Sequence, residues 1–130
     1  LLNDNESVYT VIAVFEEVFK MFFDLLKRHN INEKVEEFSK TENAVLLDVR
    51  TEAEYSQGHI PHSINIDVDR IEDAVSVISD KNTPVFVYCH SGARSGYAVN
   101  ALKRMGYSNA VNIGGISSYS GKLETGRGNL

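Results

Sequence analysis

"PVFVYCHSGARSGYAVNALKRMGY", from Pro84 to Tyr107, starts as an unbroken apolar run, breaks at a small glycine-containing turn, and continues with apolar residues at helical spacing. The run "PVFVYC" reads as a strand buried on both faces. Past the turn, Ala98, Ala101, Leu102 and Met105 share one face of a helix expected over about 95–105, with Gly106 placed at its C-terminal cap. Strand, tight turn and helix in this order make one half of a parallel α/β unit.

The same signals recur outward along the chain. "AVLLDV" (44–49), "SINI" (63–66) and "AVNI" (110–113) are further short apolar runs with strand character. Asn32 is placed to cap a short helix over 33–40. Asp69 with Glu72 resembles a capping box, and Ile71, Ala74, Val75 and Ile78 give the helix that follows a buried face. Alternating strands and helices specify an α/β sandwich with a mainly parallel sheet, whose binding site lies at the carboxyl ends of the strands. Ahead of it, Val8, Val11, Ile12, Phe15, Val18, Phe19, Phe22, Leu25 and Leu26 form the stripe of an amphipathic helix between Ser7 and His29. This helix is expected to cover the domain. Val14, Met21 and Phe23 lie off the stripe and leave a second apolar side for another part of the chain or a second copy, which makes a homodimer through Val8 to Leu26 an expectation. The chain thus divides into a helical extension (1–30) and an α/β domain (31–130) with a loosely held polar tail after Tyr119.

Composition narrows the function. With 42% hydrophobic and 24% charged residues, the 130-residue chain has the make-up of one folded domain. A net charge of -5 argues against nucleic acid or anionic membranes as partners, since Lys27, Arg28 and His29 are too few to displace counterions. Glu16, Glu17, Lys20 and Asp24 interrupt the most apolar stretch, so no membrane span is expected. The chain opens on Leu1 rather than methionine, which leaves room for an upstream segment with a targeting signal. The cytoplasm is the expected location, with the periplasm or another compartment as the alternative.

The single cysteine excludes an internal disulfide and any cysteine-rich zinc site, so Cys89 is either packing material or a reagent. A lone cysteine ending a strand is by itself most simply a buried side chain. Its neighbours favour the reagent. "CHSGAR" lies between a strand's carboxyl end and a helix's amino end, where unpaired amides attract negative charge. Gly92 lets successive N–H groups converge, Ser91 and Ala93 leave the concavity open, and Arg94 adds a fixed positive charge. A thiol there ionises more readily than a free one, and the thiolate is the nucleophile. His90 reads as a solvent-facing loop residue.

Taken in order, "LLDVRTEAEYSQGHIPHSINI" (46–66), "VFVYCHSGARS" (85–95), "ALKRMGY" (101–107) and "VNIGGI" (111–116) resemble a rhodanese-homology domain over about residues 31–119. The N-terminal helix lies outside the resemblance. The resemblance implies a rhodanese-like three-layer sandwich and a sulfurtransferase. Cys89 would take sulfane sulfur from a donor such as thiosulfate, hold it as a persulfide and pass it to cyanide, a thiol or a protein acceptor. The amides from His90 through Ser91, Gly92 and Ala93 to Ser95 would cradle the sulfur anion, Arg94 would attract the donor, and no cofactor or metal is implied. By the same resemblance Asp48 supports the loop, and Arg50 contacts substrate or pairs with Glu54, although charged strand ends also pair simply to fix loops. His59 of "GHIP" reads as a hydrogen-bonded structural residue. Two positions depart from the family's usual pattern: His62, where glycine is usual, and Tyr119, where tryptophan is usual.

Three rivals stand beside this reading. A cysteine phosphatase also sets an anion loop between Cys and Arg, but its loop is one residue longer than the four residues between Cys89 and Arg94, and Tyr88 stands where its signature has histidine. An arsenate reductase requires resolving cysteines that the chain lacks. A non-catalytic binding or sensory module of the same fold typically loses the cysteine, which is retained here.

Overall fold

In the computed structural model, which describes residues 4–28 and 30–127, four parallel strands form one sheet: β1 (Val45–Asp48), β2 (Ser63–Asn65), β3 (Val85–Cys89) and β4 (Ala110–Gly115). Their order is β2-β1-β3-β4, so the chain steps outward from β1 to β2 and then returns past β1 to β3. β1 and β3 are the pair at which this direction reverses. The carboxyl ends of such a pair are where sheets of this kind bind ligands.

Alternation along the strands produces the layers. Val85, Val87 and Cys89 face one side with Leu47 and Val49, while Phe86 and Tyr88 face the other with Leu46. The first side is covered by Ala98, Ala101 and Leu102 of α5 (Ala93–Arg104), and by Ile71, Ala74 and Ile78 around a 3-10 turn (Val68–Asp73) and the one-turn α4 (Ala74–Val77). The second is covered by Ile31, Val35 and Phe38 of α2 (Ile31–Ser39). Each fully buried leucine or valine of this set contributes roughly 1.5–3 kcal/mol, more than a surface ion pair. The three-layer sandwich is therefore fixed by the core rather than by the charged rim.

Local details differ from expectation for identifiable reasons. Asn30, not Asn32, caps α2; Asn32 instead reaches across to the Ser118 carbonyl (3.1 Å) and the Ser120 N–H (2.9 Å). Asp67, not Asp69, caps the 3-10 turn, and Val75 is exposed because that segment does not continue as a long helix. α5 begins at Ala93, which brings Arg94 and Ser95 into its first turn. Within the described part of the tail after Tyr119, Glu124 and His59 exchange backbone hydrogen bonds (2.8 and 2.9 Å), and the Gly126 N–H reaches the Ser56 carbonyl (2.8 Å).

The N-terminal helix α1 (Asp4–Arg28) forms but does not cover the domain; Phe15 is 68% and Phe19 58% exposed. Both faces of the sheet already carry helices, so no open face remains for it. His29, residues 1–3 and 128–130, and the side chains of Leu25 and Leu26 lie outside the described residues. Among the described residues no helix is long and apolar enough to cross a membrane.

His62 has φ 69, the left-handed conformation that glycine adopts without strain. His62→Gly is expected to raise stability by less than about 1 kcal/mol, because relief of left-handed strain is partly offset by the glycine's greater freedom when unfolded. Thermal unfolding reads the change.

Candidate active site

Cys89 is the last residue of β3 and only 1% exposed, yet its sulfur faces the start of α5. The Gly92 N–H donates to Sγ at 3.0 Å, and the Ser95 hydroxyl lies 3.4 Å from it. Burial alone pushes the thiol up. The Ser95 hydroxyl and the Ser95, Gly92 and Ser91 amides oppose that and prevail, so the pKa lies below the ordinary cysteine value. Gly92 makes this convergence possible with φ 101, a turn into which a side chain would bring strain. His90 and Ser91 are exposed on the rim.

The loop is held from behind by β4. Pairing of β3 with β4 slips after Val87↔Asn112, so that Tyr88 meets Gly114 and Cys89 meets Gly115. The slip brings the side chain of Asn112 beside the loop, where its Nδ2 donates to the Gly92 carbonyl (3.0 Å) and its Oδ1 accepts from Ser95 (2.7 Å) and from the Gly114 N–H (3.0 Å). The Ser117 N–H donates to the His90 carbonyl at 3.2 Å. Gly115 is required by contact: a Cβ there would lie 2.1 Å from the His90 carbonyl oxygen. Asn112 and Gly115 were not singled out from the sequence. The available signals were a polar residue interrupting an apolar strand and the paired glycines of "IGG".

Charges at the rim pair differently from the expectation. Arg50 does not reach Glu54: its guanidinium is buried, donating to Asp48 Oδ2 at 2.7 Å and to the Gly58 carbonyl at 2.7 Å. Asp48 is wholly buried and its carboxylate is occupied by Arg50, through both side chain and backbone N–H. That pair clamps the end of β1 to the turn after α3 (Glu52–Gln57), so Arg50 is not a free cation for a donor. Glu54 instead holds Arg94 through two hydrogen bonds of 2.7 and 3.0 Å. Glu54 also accepts from the Thr51 N–H and hydroxyl, closing a capping box that Thr51 and Glu54 signal by their spacing. Arg94, foremost, holds the Glu54 carboxyl at about 2.

His59 is buried, stacks on Tyr55 with ring centroids 3.7 Å apart, and shares Nδ1 with the Tyr55 carbonyl, a scaffold arrangement. A cavity of ≈ 530 Å³ opens along the free edge of β2, lined by Ile64, Asn65, Asp67, Arg70 and Val77, and no residue from His90 to Ser95 contributes to it. The loop itself is an amide-lined cradle suited to a small anion or a single charged atom.

The Glu54–Arg94 pair has a testable consequence. Glu54→Gln keeps a capping-box residue and removes the charge that holds Arg94, so the loop's affinity for a small anion, read by titration, is expected to rise several-fold. Because the carboxyl is held at about 2, the pair's stabilisation is present above the usual carboxylate range and lost only as pH falls through that value. At neutral pH the substitution removes it in full, yet the pair is one-third exposed and solvent-screened, so the loss is at most about 1 kcal/mol.

The Rhodanese-like domain family matches residues 32–122. The chain is 34% identical over 106 residues to an adenylyltransferase and sulfurtransferase, uba4, of Ogataea parapolymorpha, covering 81% of this chain and 27% of that protein. It is 38% identical over 71 residues to the thiosulfate sulfurtransferase PspE of Escherichia coli, covering 54% of this chain and 68% of that one. A solved structure of a rhodanese with anions from E. coli superposes with a TM-score of 0.60 at 34% identity, over 64% of this chain and 99% of that chain.

Proposed function

Because the chain belongs to the rhodanese-like domain family of sulfurtransferases, we propose that it moves sulfane sulfur from an anionic donor such as thiosulfate to a thiophilic acceptor, through a persulfide on Cys89. The Cys89 thiolate attacks the outer sulfur of thiosulfate. A new S–S bond forms, the donor's S–S bond breaks, and sulfite leaves with the electron pair. The charge then rests on the terminal sulfur, within the amides from His90 to Ser95. An acceptor, cyanide or a thiolate, attacks that sulfur, and the Cys89 sulfur leaves as a thiolate ready for another cycle.

One observation carries the proposal: the Gly92 N–H and the Ser95 hydroxyl both address the sulfur of Cys89, inside a ring closed by Arg94 after four residues. That ring fits one sulfur atom. A phosphoryl group would need the nucleophile and its target within about 3.5 Å and in line, with space the shorter loop does not give. Turnover with thiosulfate and cyanide, measured beside hydrolysis of an aryl phosphate, tests the choice. Thiocyanate formation without phosphate release is expected; aryl phosphatase activity exceeding any thiocyanate formation contradicts it.

A further inference from the structure

Ser95 has one hydroxyl proton and two acceptors within reach, Asn112 Oδ1 at 2.7 Å and Cys89 Sγ at 3.4 Å. It can serve only one of them at a time. Asn112 is fixed in orientation by donating from Nδ2 to the Gly92 carbonyl and accepting at Oδ1 from the Gly114 N–H, since turning the amide over would set two N–H groups face to face. Oδ1 therefore keeps a donor even when the serine turns away. Ser95 is fully buried, which shields its hydroxyl from bulk water.

We propose that the Ser95 hydroxyl is a switched donor, held on Asn112 while the Cys89 sulfur is neutral and turned onto that sulfur whenever it carries negative charge. Its place in the reaction rests on the sulfurtransferase reading. In the thiol state the S–H donates to Ser95 Oγ, and the hydroxyl proton lies toward Asn112. When the thiol proton leaves to solvent, the Ser95 O–H bond turns to the thiolate and stays intact. Sulfur uptake moves the charge to the terminal sulfur, and the hydroxyl returns to Asn112. When the acceptor breaks the Sγ–S bond, the electron pair comes back to Sγ and the hydroxyl turns again. Ser95 thus favours Cys89 as a leaving group without stabilising the persulfide, a differential interaction of the kind that accelerates a step. Asn112 is a positioning residue. Donation to Sγ also draws charge from the nucleophile, so the benefit falls on thiolate population and unloading rather than on intrinsic attack.

The titratable and charged groups around the loop are Arg94 paired with Glu54, the Asp48–Arg50 pair at the end of β1, and His90 on the rim. Ser95→Ala changes none of them. Alkylation of Cys89 by neutral iodoacetamide, followed across pH with no sulfur donor present, reads the switch directly. Ser95→Ala is expected to alkylate roughly tenfold more slowly at neutral pH, as loss of one hydrogen bond to a charged sulfur requires. The deficit should close at alkaline pH, where the more basic thiolate reacts as fast as wild type or faster. Ser95→Thr, which keeps the hydroxyl, should follow the wild-type profile. Superimposed Ser95→Ala and wild-type profiles overturn the proposal, and so does a deficit constant at every pH, which marks a displaced loop. Should Ser95→Ala not fold, Asn112→Asp tests the other end: its carboxylate retains the serine proton and raises the alkylation midpoint, and an unmoved or lowered midpoint overturns the switch. A protein that ionises in this way yet takes no sulfur from thiosulfate fails the functional reading and leaves the switch standing.

Discussion

Cys89→Ser is expected to abolish thiocyanate formation, a fall on the order of a thousandfold or more. The substitution changes one atom at a position only 1% exposed, so the fold and the surrounding donors remain. What disappears is the chemistry. A serine hydroxyl stays protonated at neutral pH and cannot hold sulfane sulfur, whereas the thiol has its pKa lowered because the Ser95 hydroxyl and the loop amides outweigh its burial. A thermal midpoint close to wild type together with lost turnover separates chemistry from stability. Undiminished turnover in the serine variant would remove Cys89 from the reaction.

Gly115→Ala is expected to cost about a hundredfold in turnover and roughly 1–3 kcal/mol in stability. Its backbone angles, φ -121 and ψ 142, are open to any residue, so the penalty is purely one of space. An added Cβ would lie 2.1 Å from the His90 carbonyl oxygen and 2.6 Å from Ser91 Cα, and these are backbone atoms that no rotamer change can clear. The loop must move away from β4, which pulls the Ser91 and Gly92 amides off the sulfur. Turnover and thermal unfolding measured on one preparation check both effects; wild-type values in both would show that contact with β4 does not position the loop.

Cys89, Gly92 and Arg94 could be read in advance because strand, turn and helix follow one another in sequence, and apolar periodicity reports such local order. Asn112 and Gly115 left only weak marks, a polar residue inside an apolar strand and a pair of glycines. They reach the loop from a neighbouring strand, through a register slip between Val87 and Tyr88 that no pattern in "AVNIGG" announces. Arg50 and Glu54 illustrate the opposite case, in which the resemblance left Arg50 to contact substrate or to pair with Glu54 and local contacts decide otherwise. The capping box at Thr51 turns Glu54 toward Arg94, and Asp48 takes Arg50. Cap positions went astray for a related reason: Asn32 is an apt cap by residue type, but Ser118 and Ser120 recruit its side chain from far along the chain. The stripe on α1 is legible as a helix, whereas its lack of cover follows only from α2, α4 and α5 having already closed both faces of the sheet.

The most direct test is the intact mass of the purified protein after incubation with thiosulfate and removal of excess donor. A gain of one sulfur atom, located at Cys89 by peptide mapping and discharged by cyanide with release of thiocyanate, is the expected result. A mass unchanged by thiosulfate and by a low-molecular-weight persulfide, in protein whose Cys89 still alkylates freely, would contradict the persulfide mechanism.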